Sequence, residues 1–233
     1  MVADHFRGTN MSDDLLDQLT ERETKKEVKA AVTWVIDVTM SMDKEIVAVR
    51  EALEEFADIF ERRKVRLHLG MISFRDLTQG ETITVHEFDG GHFTRSGDAF
   101  KGQVQTLSAS GGGPRPESSY DAIARACEMD WPQGCEKIIV LVTDAPSHTS
   151  TTSKNAAKAA LQGADVKQFY ALTYTTEAVV RDCYVDFTAV GKGGAMFDLG
   201  NRDKSTLIKT IRNLGLTSSE RTVSKTTDRE TTE

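Results

Sequence analysis

Apolar positions along this chain change their period several times, and the changes outline a fold before any single residue needs interpreting. "AAVTWVID", residues 30–37, is a continuous β-branched and apolar run, which predicts a buried strand. The next stretch, "MDKEIVAVREALEEFADIFERRK", brings Ile46, Val49, Leu53, Phe56 and Phe60 round at steps of three and four, the spacing of an amphipathic helix. "KVRLHLGMISF" predicts a second strand, and "ETITVHEF" alternates as an edge strand does. "SSYDAIARACEM" places Tyr120, Ile123 and Cys127 on one helical face. "KIIVLVTDA" is almost unbroken in its apolarity, as a strand covered on both faces should be. "SKNAAKAALQGA" then predicts a helix, "QFYALTY" a strand, "AMFDLG" a short strand, and "KSTLIKTIRNLG" a helix closed by Gly215. Strand and helix alternating at this density imply right-handed crossovers, hence an α/β domain with a mainly parallel, doubly wound sheet and helices on both faces.

The two ends do not follow this pattern. Residues 217–233 contain Val223 as their one apolar side chain, too little to offset the entropy of ordering, so a disordered polar tail is expected there. Residues 1–29 are dense in charge and form a separate N-terminal segment, with a helical turn or two possible within it. The domain expected between them spans residues 30–216. At 233 residues the chain has room for one such domain and is short for two.

Charge then narrows the function. Lys and Arg total 29 against 36 Asp and Glu, a formal charge of -7, so the long-range field repels nucleic-acid phosphates and anionic lipid. The apolar runs stop well short of the roughly 18 residues that a membrane span needs. The N-terminus also lacks the basic, apolar, small-residue order of a signal peptide. A cytoplasmic protein without nucleic-acid or membrane partners is the expectation. Cys127, Cys135 and Cys183 form no C-x-x-C pair and are odd in number, which fits reduced structural thiols.

Candidate chemistry falls at one edge. In open α/β sheets, ligands bind outside the carboxyl ends of the strands, near a switch in strand order. "DVTMS", "SASGGGPRPESS" and "TDAPSH" are expected to emerge there, with "FRD" at 74–76 beside them. Asp37 and Asp144 offer carboxylate oxygens, while Thr39 and Ser41 offer hydroxyls at alternating positions of an extended turn, where side chains point the same way. An all-oxygen set of low charge suits a hard divalent cation, Mg2+ or otherwise Mn2+ or Ca2+, rather than zinc. The competing reading makes Asp37 a cap and leaves Thr39 and Ser41 to satisfy loop amides. "SGGGPR" is no phosphate loop, because G-x-x-x-x-G-K-[ST] and its lysine are absent.

A strand followed by D-x-[ST]-x-S, a Gly-rich loop before a helix, and then a strand ending in [ST]-D resembles a von Willebrand factor A (vWA) domain with its metal-ion-dependent adhesion site. The likeness runs from about Ala30 to Leu214 and is greater to the intracellular branch of that family. It implies a Rossmann-like fold with one antiparallel edge strand, for which "ETITVHEF" is the candidate. It also implies a divalent cation whose open position takes an Asp or Glu carboxylate from another protein. By position, Asp37, Thr39 and Ser41 become first-loop metal ligands and Asp144 the third-loop acid. The second loop departs from the pattern: where the family usually has Thr or Asp after the glycine run, this chain has Pro114, so Ser110, Glu117, Ser118 or water must fill the gap. Met40 likewise replaces the usual glycine before the last serine. Arg75 and Asp76 are possible partner contacts.

Three functions follow, in order. The first is a non-catalytic, metal-dependent protein interaction module. The second is a Mg2+-dependent phosphoryl-transfer hydrolase, which would want a second titratable acid where Thr39 stands. The third is a metal-free vWA scaffold, favoured by Pro114.

Overall fold

The structure is a computed structural model that describes residues 30–63 and 67–200, with side chains given for 30–58 and 67–200. The charged segment 1–29, the expected helix over 204–215 and the polar tail 217–233 lie outside the described residues.

Six strands form one sheet: β1 (Ala30–Asp37), β2 (Leu67–Phe74), β3 (Ile83–Val85), β4 (Glu136–Val142), β5 (Val166–Thr173) and β6 (Ala195–Asp198). Their order is β3-β2-β1-β4-β5-β6; all neighbours run parallel except β3, which pairs antiparallel with β2. The chain therefore winds outward from β1 in one direction through β2, then crosses back to lay β4 on β1's other side. That reversal is the topological switch point, and it lies between the C-terminal ends of β1 and β4.

Both faces of β1 are covered, which explains its unbroken apolar run. Trp34 and Ile36 face one core with Ile46, Val49, Leu53 and Phe56 of α1 (Ile46–Arg63) and with Phe100 and Val104 of α2 (Gly97–Gln105). Val35 faces the other core, with Tyr120 and Ile123 of α3 (Ser119–Cys127), Leu161 of α4 (Lys154–Gly163) and Val180 of α5 (Ala178–Tyr184). Trp34 and Phe56 meet edge to face at 5.3 Å, which fixes α1 against the central strand. Each large side chain buried this way contributes roughly 1.5–3 kcal/mol.

Three details differ from the sequence pattern. Residues 40–44 form a 3-10 turn, so the regular helix starts at Ile46 rather than at Met42. The edge strand is limited to Ile83–Val85, because reciprocal bonds between Phe88 and Gly91 turn the chain away through Gly90 and Gly91, both at positive φ. Helices α2 and α5 have no counterpart in the sequence reading. Ser96 caps α2 by accepting from the Ala99 N–H at 3.1 Å.

Candidate metal centre

Strand β1 ends on Asp37, whose side chain is fully buried. One carboxylate oxygen, Oδ1, accepts from the Thr39 N–H at 2.9 Å and from the Thr39 hydroxyl at 2.6 Å. The other, Oδ2, accepts from the Thr143 hydroxyl at 2.7 Å, tying the tip of β1 to the residue after β4. The next residue, Asp144, accepts the Ser41 hydroxyl on Oδ1 at 2.9 Å. Thr39 Oγ1 and Ser41 Oγ are themselves 3.1 Å apart. Asp37, Thr39, Ser41 and Asp144, distant in sequence, thus form one continuous line of oxygens across the switch point. Asp37 and Thr39 are buried and Ser41 is exposed, so the line opens to solvent at its serine.

Counting hydrogens exposes a deficit. Three short contacts link Asp37 to Thr39, Thr39 to Ser41 and Ser41 to Asp144, but two hydroxyls own only two hydrogens. If both hydroxyls donate to the acids, their lone pairs face each other with nothing between. A proton on a carboxyl or a cation coordinated by these oxygens would use those lone pairs. Burial pushes the Asp37 carboxyl up to about 6 despite the hydrogen bonds from Thr143 and Thr39. Burial also raises Asp144, against the opposing effects of Ser41 and the Arg115 guanidinium.

The second loop supplies one more acid. Ser110 is occupied, since its carbonyl accepts from Arg75 Nε at 2.8 Å and its hydroxyl from Arg75 Nη2 at 2.9 Å. Ser118 accepts from the Leu77 N–H at 2.9 Å. Pro114 is exposed at the rim. Glu117 is buried to 1% exposure, and its Oε2 has no hydrogen-bond partner. Its carboxyl is pushed up to about 8, first by burial and then by the charges of Asp37, Asp76, Asp144 and Glu81. Gly112 makes this approach possible. At φ +80°, a Cβ there would sit 2.8 Å from Thr39 Cβ and 3.3 Å from Glu117 Oε1.

The donor set fits a hard cation. Every side-chain donor is an oxygen, each hydroxyl keeps lone pairs after donating, and a buried carboxylate oxygen is left over. Among the described residues, no three or more His, Cys, Asp or Glu side chains are grouped to hold a metal ion. A cation at this place would therefore depend on the Thr39 and Ser41 hydroxyls and on water.

Residues 31–183 match a family model described as "von Willebrand factor A domain". The chain belongs to the von Willebrand factor A domain family. No curated protein matches it in sequence. Its fold is similar to a von Willebrand factor type A protein from Catenulispora acidiphila, with TM-score 0.60 and 18% identity over 81% of this chain and 42% of that one. It is also similar to proximal thread matrix protein 1 from the mussel byssus, whose metal-ion-dependent adhesion site is occupied by zinc in one structure, with TM-score 0.61 and 14% identity over 82% of this chain and 46% of that one. The pilus adhesin SpaC from Lactobacillus rhamnosus GG gives TM-score 0.57 and 12% identity over 82% of this chain and 30% of that one. The chain spans less than half the length of each of these structures.

Within this vWA domain, three supporting residues escaped the sequence reading. Thr143 bonds Asp37 Oδ2 and accepts from the Ala145 N–H at 3.2 Å; its only signal was its place before Asp144. Arg115 donates to the Asp144 carbonyl and bridges to Glu177 at 3.1 Å. Tyr184 donates to the Ala145 carbonyl at 2.8 Å and lies 2.7 Å from the Ser119 hydroxyl, bracing the third loop from α5. Arg75 turns to Ser110, whereas Asp76 accepts from the Thr78 N–H and hydroxyl and lies 3.3 Å from His148 Nε2.

Proposed function

We propose that this vWA domain is a non-enzymatic, metal-dependent protein interaction module. Asp37, Thr39, Ser41 and Asp144 would hold a divalent cation, Mg2+ in the first instance with Mn2+ and Ca2+ also compatible, and Glu117 would stand in for the missing second-loop side chain. When bound, the cation supplies a Lewis-acidic position for an Asp or Glu carboxylate of a partner protein. Ser41, at the exposed end of the line, and Met40 beside it at 57% exposure would meet that partner first.

The hydrogen deficit along Asp37, Thr39, Ser41 and Asp144 carries this reading, because a cation accepts the lone pairs that no hydrogen fills. Against phosphoryl transfer stands Thr39 in the place of a second titratable acid, with its hydroxyl already spent on Asp37. A cytoplasmic setting goes with this reading, on the odd cysteine count and the lack of a C-x-x-C pair in the sequence. Titration calorimetry of the EDTA-stripped protein with Mg2+ and Mn2+ tests the proposal. Saturable binding that disappears in Asp37→Ala supports it. Absence of binding in the wild type favours the metal-free scaffold, and binding unchanged in Asp37→Ala places the cation elsewhere.

A further inference from the structure

The first loop's arrangement recurs beside it. Asp76 follows β2 as Asp37 ends β1, and each is followed two residues later by a threonine. Asp76 Oδ1 accepts from the Thr78 N–H at 2.8 Å and from the Thr78 hydroxyl at 2.7 Å, as Asp37 Oδ1 does from Thr39. The other oxygen differs. Asp37 Oδ2 takes the Thr143 hydroxyl, whereas Asp76 Oδ2 is buried with no hydrogen-bond partner, and the Asp76 side chain is fully shielded from solvent.

Glu117 Oε2 is in the same condition, and three ties hold the two acids side by side. The Leu77 N–H, one residue after Asp76, donates to the hydroxyl of Ser118, one residue after Glu117. His148 donates its N–H to the Glu117 carbonyl at 2.7 Å and places Nε2 3.3 Å from Asp76 Oδ1. Glu81 accepts from the Asp76 N–H and also from the N–H of Gly112, the glycine that lies against Glu117. Two neighbouring acids in a buried pocket, each with one unpartnered oxygen, leave acceptor positions that a proton or a cation would fill, and His148 faces the other oxygen of Asp76.

We propose that Asp76 and Glu117 hold a second divalent cation beside the first, with Glu117 shared between the two. This rests on the reading of the Asp37 site above and resolves a difficulty in it. Asp37, Asp144 and Glu117 together carry three negative charges, so one divalent cation among them leaves a net negative site that disfavours an incoming carboxylate. With Asp76 and a second cation included, the four proposed ligand acids meet four positive charges, so the ligands themselves no longer oppose an external carboxylate. Two carboxylates with water completing the shell is an ordinary way for Mg2+ to be held.

Counting bound Mn2+ on the EDTA-stripped full chain by electron paramagnetic resonance tests this. The expected result is two ions per wild-type chain with a spectrum broadened by mutual coupling, one uncoupled ion in Asp76→Asn and one in Asp37→Ala. Asp76→Asn keeps the oxygen that accepts from Thr78, and its melting temperature checks the fold. One ion in the wild type that survives Asp76→Asn and vanishes in Asp37→Ala overturns the second site and leaves the first standing. One ion that vanishes in Asp76→Asn and survives Asp37→Ala overturns both the paired arrangement and the Asp37 reading, and leaves a lone cation at Asp76. Two uncoupled ions, or none, overturn the shared arrangement, and a wild-type count of one decides against it even if Asp76→Asn does not fold.

Discussion

Removing the charge of Glu117 while keeping its shape gives the sharpest test of how the metal-free centre is strained. Its carboxyl is raised from 4.5 to about 8, mainly by burial and then by the surrounding acids. Below the unfolded value, both the folded and unfolded chains carry the proton. As pH climbs from 4.5 towards 8, the unfolded chain releases it and the folded chain retains it, so stability falls through this window and the loss persists above it. At about 1.36 kcal/mol per unit, the full cost is on the order of 5 kcal/mol, an upper figure because Asp37 titrates against the same charges. Asp37, raised to about 6, loses stability in the same direction. Glu117→Gln should therefore melt close to the wild type in acid and increasingly above it as pH rises. With about 2–4 °C per kcal/mol for a domain of this size, the gap at the alkaline end is on the order of 10 °C. The assay is thermal unfolding followed by circular dichroism in EDTA, across that pH range. Saturating Mg2+ should raise the wild-type curve at alkaline pH and close most of the gap. Parallel curves for the two proteins at every pH would refute the reasoning.

Other consequences follow from single contacts. Gly112→Ala forces a Cβ at φ +80° to within 2.8 Å of Thr39, so it should cost roughly 1–3 kcal/mol and abolish Mn2+ binding in calorimetry, while Gly102→Ala, in open space on α2, should do neither. Tyr184→Phe removes the bond to the Ala145 carbonyl, and denaturant unfolding should show a loss of about 1 kcal/mol. Arg115→Ala withdraws the charge that lowers Asp144, so the pH midpoint for Mg2+ binding should move upward; an unmoved midpoint would deny Arg115 that role. Trp34→Ala empties the contact with Phe56 and should cost about 3–5 kcal/mol in the same unfolding experiment.

The sequence was most legible where burial is complete. β1 and β4 are covered on both faces, so their residues had to be apolar, and Asp37 and Asp144 stood out as the polar residues that end each run. α2 was not legible because it rests on Phe100 and Val104 alone, with glycines at 97 and 102, which gives no sustained period. α5 is seven residues long with Val179 exposed beside buried Val180, so apolarity there does not report a face. Glu117 could be named only as one of three second-loop candidates. Its distinction from Ser110 and Ser118 depends on which neighbours consume each side chain, and Arg75 and Leu77 are more than thirty residues away in sequence. The pairing of Asp76 with Glu117 is a product of three loops meeting, which no periodicity encodes.

The strand order also governs how the domain comes apart. β1 and β4 are the two innermost strands, whereas β3 and β6 are short and lie at the margins. Local opening proceeds from the margins, and the most protected amides belong to the elements held on both sides. Asp37 and Asp144 hang from those elements, so fraying of β3 or β6 leaves the line of oxygens in place. A grip of the proposed kind built there would be released by its cation or its partner leaving before the domain itself gives way.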